Sequence, residues 1–597
     1  MNKRSFSITN KASVSLSSIL DSQRQHQRPT PAARSTGFLS DAETPTLPQD
    51  IVAVSIKVSD KTAFDASYPT LAPEEQLVPI GDEFYSGKLS VSHLQGLLSH
   101  ANVERIETKK THSLTLDRAS TDIELLTAGG SRSIPQTGKD VLVGIVDSGF
   151  DLSHPMFRDV SGNLRVVALL DQTNGNQEYN TSQLQTQWGA GGSRPGEDKD
   201  GHGTHVASIA GGSKLDQYEG IAPDAKFLLV KTDFTNVDLA VSWIYDQADG
   251  NPCVVNLSLG YHFGAHDGTS NEERLYDTLV GPGKILVVSA GNERNDSIHL
   301  NGMFVPNQLE EVVFDILPRN SAGVPPFVAT TFWYPDNDDY ELDLITPSGQ
   351  ALPTPTLGNT DSYSAGNLSI EISRTAYTIS DLTQIQISIS FSNFSIPPGS
   401  LQNWRFRIRC VSATTGRFDA WFHNSGFARF RSHPLVQAQG TIGIAATARG
   451  CIAVASHVSK NSWDSDDGPQ QDLMAVMGRS SSFSSLGPTR DGRLKPEISA
   501  PGQYITAALA ENSDLSDVSV RADETNSLLT IEGTSMSAPV VTGAIALMLQ
   551  KNPSLTPEQV KEILKESAKK DAHTQDTAWT PAYGYGKLDI AAAVSRV

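Results

Sequence analysis

A chain of 597 residues exceeds what one hydrophobic core usually organises, so two to four domains are expected. The hydrophobic content of 38% predicts a mostly globular chain, and the formal net charge of −20 argues against a nucleic-acid partner, since a phosphate backbone calls for Lys and Arg. Three cysteines, Cys253, Cys410 and Cys451, are too few and odd in number for a disulfide scaffold. A reduced compartment is compatible with them, although bacterial exported enzymes can also lack disulfides.

Residues 1–46 are rich in Ser, Gln, Pro and Arg, show no period, and read as a disordered tail. The opening MNKRSFSITNKASVSLSSIL carries Lys3 and Arg4 but no continuous apolar run, a poor fit to a secretory signal. No apolar stretch is long enough to span a bilayer. A cytoplasmic location is therefore expected, with non-standard export left open. From 47 to 117 the pattern changes. Val52, Val54, Ile56 and Val58 alternate with polar or small residues and predict a half-buried strand. Val91, Leu94, Leu97 and Leu98 follow at helical spacing, and VERIET returns as a strand. Together they predict a small α+β unit.

Residues 118–295 have an α/β texture. The runs VLVGIV, KFLLVKT, CVVNLSL and KILVVSA have the length and β-branched content of buried parallel strands, with helical segments such as VDLAVSWIYDQA between them. The alternation predicts a doubly wound, mostly parallel sheet with helices on both faces. Residues 296–435 instead carry short alternating strands (VVFDIL, YELDLIT, NLSIEIS, IQISISF, WRFRIRC, FDAWF) parted by turn-rich stretches, which predicts an inserted all-β sandwich or jelly roll. The α/β texture resumes over 436–597. There GTSMSAPVVTGAIALMLQ is apolar almost all round, as a buried helix should be, and Thr556-Pro557-Glu558-Gln559 predicts a capping-box helix start.

Three motifs occur in the order Asp, His, Ser. VGIVDSGFD ends a strand at Asp147, DGHGTHVASIAGG opens a helix at His202, and GTSMSAPVVTGA opens the buried helix at Ser535. Singly, each has a bland reading: Asp after a strand is often a turn former, and Ser at a helix start is most often a cap. In this order and together they resemble the subtilisin-like serine peptidases, and differ from the chymotrypsin-like and α/β-hydrolase orders. His205 lies three residues after His202, but no acidic base stands between them as in a HExxH zinc motif, so a packed helix histidine is expected.

The resemblance implies a serine endopeptidase with Asp147, His202 and Ser535 as its triad. It implies that Asn292, in VVSAGNE, is the side-chain donor to the oxyanion, beside the Ser535 N–H. It also implies that Ser258, Leu259 and Gly260, in VVNLSLG, line one side of a substrate pocket, with Ser289, Ala290 and Gly291 on the other. The bland reading of VVNLSLG is an ordinary sheet strand. No metal ligand set and no cofactor is carried over: GGSKLDQYEGIAP is shorter than the calcium-binding loop of many secreted relatives. The acidic clusters Asp336–Asp339 and Asp464–Asp467 fit no EF-hand spacing and are expected to be solvated turns. The expected partners are a peptide or protein substrate and the chain's own N-terminal unit, which occupies the place of the family's propeptide. That unit would act as intramolecular inhibitor and substrate, cut within His112 to Arg118, where Thr111 to Leu116 can extend. The alternative is a pseudoprotease whose fold serves as a binding scaffold. A lectin-like role for the β insert is a third reading, but the insert shows no clear sugar-binding constellation.

Overall fold

The computed structural model describes residues 51–67, 76–80, 84–108, 115–127, 130–189, 194–318, 327–377, 379–392, 396, 399–423, 426–465, 468–515, 527–575 and 577–597; the expected N-terminal tail lies outside them. The chain divides into two compact units, residues 1–113 and 114–597. Among the described residues, no helix is long and apolar enough to cross a membrane.

The first unit contains β1 (Ile51–Val58), α1 (Lys61–Ser67), β2 (Gln76–Ile80), β3 (Phe84–Ser90), α2 (Val91–Leu98) and β4 (Val103–Thr108). Its strands form an antiparallel sheet in the order β2-β3-β1-β4. Ile56, Val58, Phe64, Leu89, Leu94 and Leu97 are buried, and the Ser90 side chain caps α2 by accepting the His93 N–H.

The second unit opens with α3 (Thr115–Asp122). Thr115 and Leu116, expected to be extended, are helical, whereas Thr111 to Leu114 lie outside the described residues. Tertiary packing explains the helix: Ala119 and Ile123 enter the main core, and the Asp122 carboxylate meets the buried His457 Nε2 at 2.8 Å. Next come β5 (Leu142–Asp147), β6 (Val166–Asp171), β7 (Gln177–Asn180), α4 (Thr181–Gly189), α5 (His202–Gly211), β8 (Lys226–Lys231), α6 (Val237–Gln247), β9 (Cys253–Leu257), α7 (Asn271–Leu279) and β10 (Lys284–Ser289).

The insert follows. It comprises β11 (His299–Met303), β12 (Leu309–Ile316), β13 (Phe327–Pro335), β14 (Asp339–Ile345), β15 (Ala351–Leu352), β16 (Thr360–Ala365), β17 (Leu368–Tyr377), β18 (Leu382–Phe391), β19 (Trp404–Ser412), β20 (Arg417–Phe422), β21 (Ala428–Phe430) and β22 (Val436–Gln437). A seven-stranded sheet, β16-β17-β18-β13-β20-β11-β22, is joined by a five-stranded sheet, β15-β14-β19-β12-β21. Alternate residues of both sheets, among them Phe314, Phe332, Tyr340, Ile387, Phe406 and Phe418, share one apolar cluster. Entry and exit strands pair, His299 opposite Gln437, so the insert leaves the α/β core and returns to it at one place. Sequence alternation missed β13, because FVATTFWYP is buried on both faces: Phe332 joins the sandwich core, and Trp333 packs with Ala265, Leu382 and Trp421.

The Asp336–Asp339 turn is not simply solvated. Asp338 is buried and accepts from Thr415 N and Oγ1 at 3.1 and 2.8 Å, from Gly416 N–H at 2.8 Å, and from Thr414 N–H. Burial works against the charge, yet these donors hold its pKa below the usual value. Its role is to fix the turn before β20. Asp466 and Asp467 lie outside the described residues.

After the insert the core is completed by β23 (Ile452–Val458), the hairpin β24 (Ser462–Ser465) and β25 (Gly468–Gln471), β26 (Ile498–Gln503), β27 (Ile505–Ala508), β28 (Leu528–Ile531), α8 (Thr534–Lys551), α9 (Pro557–Ser567) and α10 (Ile590–Arg596). The main sheet has the order β26-β23-β10-β9-β5-β8-β6-β7 and is parallel except for its β6–β7 edge. Val143, Ile145 and Val287 face α5 and α8, while Val146, Val255 and Leu286 face α6 and α7. Burial on both faces is why these strands read as continuous apolar runs. The capping box at Thr556 and Gln559 is formed, with Pro557 in the first helical turn.

Candidate active site

Asp147 is the last residue of β5, at the carboxyl edge of the sheet, where open α/β folds gather their sites. Its side chain is 1% exposed, and its Oδ1 accepts from His202 Nδ1 at 2.7 Å and from the Ser148 N–H at 2.8 Å. His202 is the first residue of α5. The next position must be glycine: a Cβ on Gly203 would lie 2.3 Å from the Gly149 carbonyl oxygen and 2.9 Å from the Asp147 Cβ. Burial opposes the charged imidazole, but the attraction of Asp147 outweighs it and raises the His202 pKa to about 9.

Asp198 aligns these two residues, and sequence reasoning had not singled it out. Its Oδ1 accepts from Ser148 Oγ and Gly201 N–H, both at 2.9 Å, and its Oδ2 accepts from Thr204 N–H and Oγ1 at 2.9 and 2.7 Å. Ser148 Oγ in turn accepts the Gly203 N–H at 3.0 Å. One buried carboxylate thereby ties the end of β5 to the start of α5. Burial raises its pKa in spite of these donors.

Ser535 is the second residue of α8, where the positive end of the helix dipole lies. Its hydroxyl donates to the Ser258 carbonyl at 3.3 Å, and among the described residues no hydrogen bond joins it to His202 in this rotamer. Asn292, at the carboxyl edge beyond β10, is oriented by Thr534. The Thr534 N–H and hydroxyl both donate to Asn292 Oδ1 at 2.9 Å, and two donors on one atom identify that atom as the oxygen. The Asn292 Nδ2 is thus left as a free donor on the side of Gly533, whose added Cβ would stand 3.6 Å from it. Thr534 was also missed from the sequence, although it stands beside Ser535 in the GTS string.

Ser258, Leu259 and Gly260 line a cleft of about 660 Å³ together with Phe234, Asp238, Tyr261, Glu272 and Tyr276. Ser289, Ala290 and Gly291 do not line this cleft. They continue β10, which runs parallel beside β9 with Val288 opposite Leu257. His205 is buried, its Nε2 lies 3.0 Å from the Leu529 carbonyl oxygen, and burial pushes its pKa down to about 3. A neutral, packed histidine results.

The model of the subtilase family matches residues 138–314 and 405–586, more than half of the chain, and the unmatched stretch between them falls within the β insert. The solved structure of the CspB protease of Clostridium perfringens is 25% identical, with a TM-score of 0.65 over 80% of this chain and 96% of that one. The serine protease AprX of Bacillus subtilis strain 168 is 44% identical over 89 residues, 15% of this chain and 20% of AprX. The subtilisin-like protease SBT1.4 of Arabidopsis thaliana is 23% identical over 568 residues, covering 81% of this chain and 64% of SBT1.4. The chain thus spans a fifth of the length of the first of these two relatives and under two thirds of the second. With a match on both sides of the insert, and the doubly wound sheet with its carboxyl-edge cluster already described, this chain belongs to the subtilase family.

Proposed function

We propose that the chain is a serine endopeptidase acting through Ser535, His202 and Asp147. The observation that carries this reading is the 2.7 Å bond from His202 Nδ1 to the buried Asp147 carboxylate. It leaves His202 Nε2 to act as the base. A serine hydroxyl is a poor nucleophile alone, so neutral His202 takes its proton as Oγ attacks the scissile carbonyl carbon. The carbonyl oxygen becomes an oxyanion, held by Asn292 Nδ2 and the Ser535 N–H. Collapse breaks the C–N bond while His202 returns the proton to the leaving amine. Water then repeats the sequence on the acyl-enzyme. Asp147 keeps the imidazole in the required tautomer and stabilises its charged form.

The resting hydroxyl of Ser535 lies on the Ser258 carbonyl. For the transfer the hydroxyl must turn from that carbonyl, 3.3 Å away, toward His202 Nε2. An extended peptide adding along Ser258–Gly260 brings its own N–H groups to that edge. The same chemistry acts on the chain itself between its two units, within His112 to Arg118, where a cut beyond Leu114 requires the first turn of α3 to unwind, releasing an N-terminal unit that serves as intramolecular inhibitor.

Labelling with a fluorophosphonate, which forms a stable bond only to an activated serine, tests the assignment. Ser535 should carry the adduct, and Ser535→Ala should carry none. A wild type that folds but does not label would mark the fold as a binding scaffold.

A further inference from the structure

We propose that His262 and Glu293 are positioning residues through which the inserted β-sandwich sets the oxyanion donor Asn292, an inference that rests on the peptidase reading above. Glu293 follows Asn292 and folds its carboxylate back. Its Oε2 accepts the Asn292 N–H at 2.7 Å and the Ser485 hydroxyl at 3.0 Å, and lies 3.5 Å from His262 Nε2. The carboxylate thus clamps the backbone of the residue that presents the oxyanion donor. The preceding Gly291 has φ +108°, a conformation open to glycine, and an added Cβ would stand 2.4 Å from Glu293 Oε2. The clamp therefore depends on a backbone path that only glycine provides.

His262 is itself held from the insert. Its side chain is 3% exposed, and its backbone N–H donates to the His423 carbonyl at 2.9 Å. His423 directly follows β20 and is fixed in the insert's sheet, its own N–H donating to the Ala329 carbonyl at 2.9 Å. A column of rings runs the same way. His299 of β11 stacks on Trp421 of β20 at 4.6 Å, Trp421 on His266 at 4.1 Å, and His266 on His262 at 5.2 Å. His266 Nδ1 is fixed on the Ile442 carbonyl at 2.9 Å, and Trp421 Nε1 donates to the Gly440 carbonyl at 2.8 Å. The insert thus determines where His262 sits. His262 in turn faces the carboxylate that holds Asn292. Burial alone would neutralise Glu293. His262, the Ser485 hydroxyl and the Asn292 N–H instead hold its pKa below the usual value, so it stays an anion able to accept all three.

Acting through Asn292, rather than on substrate, has a measurable signature. In the full-length protein, His262→Ala should slow the maximal rate of fluorophosphonate labelling about ten- to a hundred-fold, the usual effect of a displaced catalytic group, with the apparent affinity for the probe within about threefold. In an Asn292→Ala background the same change should cost less than about threefold, because the donor it positions is already gone. His262→Gln, which keeps an N–H in that space, should recover most of the rate. Equal losses in both backgrounds, or a loss confined to probe affinity, would overturn the proposal. Should His262→Ala fail to fold, Glu293→Gln takes its place in the same cycle with the same expected outcomes. A wild type that does not label at Ser535 removes the peptidase reading, and this inference with it. That result is distinct from normal wild-type labelling with an additive cycle, which removes this inference alone.

Discussion

The Ser258 hydroxyl donates to the Ser535 carbonyl at 2.7 Å, while the Ser535 hydroxyl donates to the Ser258 carbonyl at 3.3 Å. The first bond has a covalent cause. In a helix the Ser535 carbonyl would accept from the N–H four residues on, but that residue is Pro539, which has none. Ser258 supplies the missing donor. Its hydroxyl proton is aimed by Asn256 Nδ2, which donates to Ser258 Oγ at 3.0 Å, and Asn256 Oδ1 accepts from Thr542 Oγ1 at 3.0 Å.

Ser258→Ala should therefore lower stability by about 1–3 kcal/mol, the cost of leaving a buried polar group without its partner. Ser258→Thr, which keeps the hydroxyl, should recover most of the loss. Thermal denaturation of the three proteins measures this, and an alanine variant as stable as wild type would contradict the capping role.

Asn292→Ala should lower kcat with little change in KM, because the donor acts mainly on charge that exists in the transition state. The scale, about a hundred- to thousand-fold, is known from the corresponding loss in subtilisin itself. Steady-state kinetics on a chromogenic peptide decide it; a large rise in KM at constant kcat would refute the assignment.

The pKa of about 9 at His202 makes a claim about pH. The base must be neutral, so turnover should climb from pH 7 toward alkaline pH, with a midpoint above the ordinary histidine value of about 6.5. For stability the sign is opposite. A pKa raised in the folded state contributes stabilisation that is fully present below about 6.5 and is lost as pH rises through about 9. Asp147→Asn removes the main cause of the rise and should move the midpoint of any residual activity downward. A rate profile and a denaturation series across this window read both effects.

Ser535→Ala should accumulate as one full-length chain, while the wild type yields a fragment of roughly 480 residues, as expected from a cut at the boundary between the two units. Cutting within one chain is effectively unimolecular and so favoured over cutting in trans. Intact-mass measurement compares the two. Full-length protein in both cases removes self-processing at this site; identical cutting in both assigns it to another protease.

Periodicity and motif strings in the sequence alone determined the alternation of β5, β8, β9 and β10 with helices, the all-β character of the insert and the capping box at Thr556, and they singled out Asp147, His202, Ser535 and Asn292 as the candidate site. These features are local: a strand buried on both faces, a helix cap or a contiguous motif needs only neighbours along the chain to be recognised. Only the tertiary structure decided what holds those residues in place. Asp198 bridges Ser148 to Gly201 and Thr204, Thr534 turns the Asn292 amide, and Ser258 completes a helix 277 residues away. Trp333 and Trp421 look like ordinary strand residues until β13 and β20 bring them against Ala265. A hydrogen bond or a ring contact between distant segments leaves no period behind, because its partners are chosen by how the sheets pack and not by spacing along the chain.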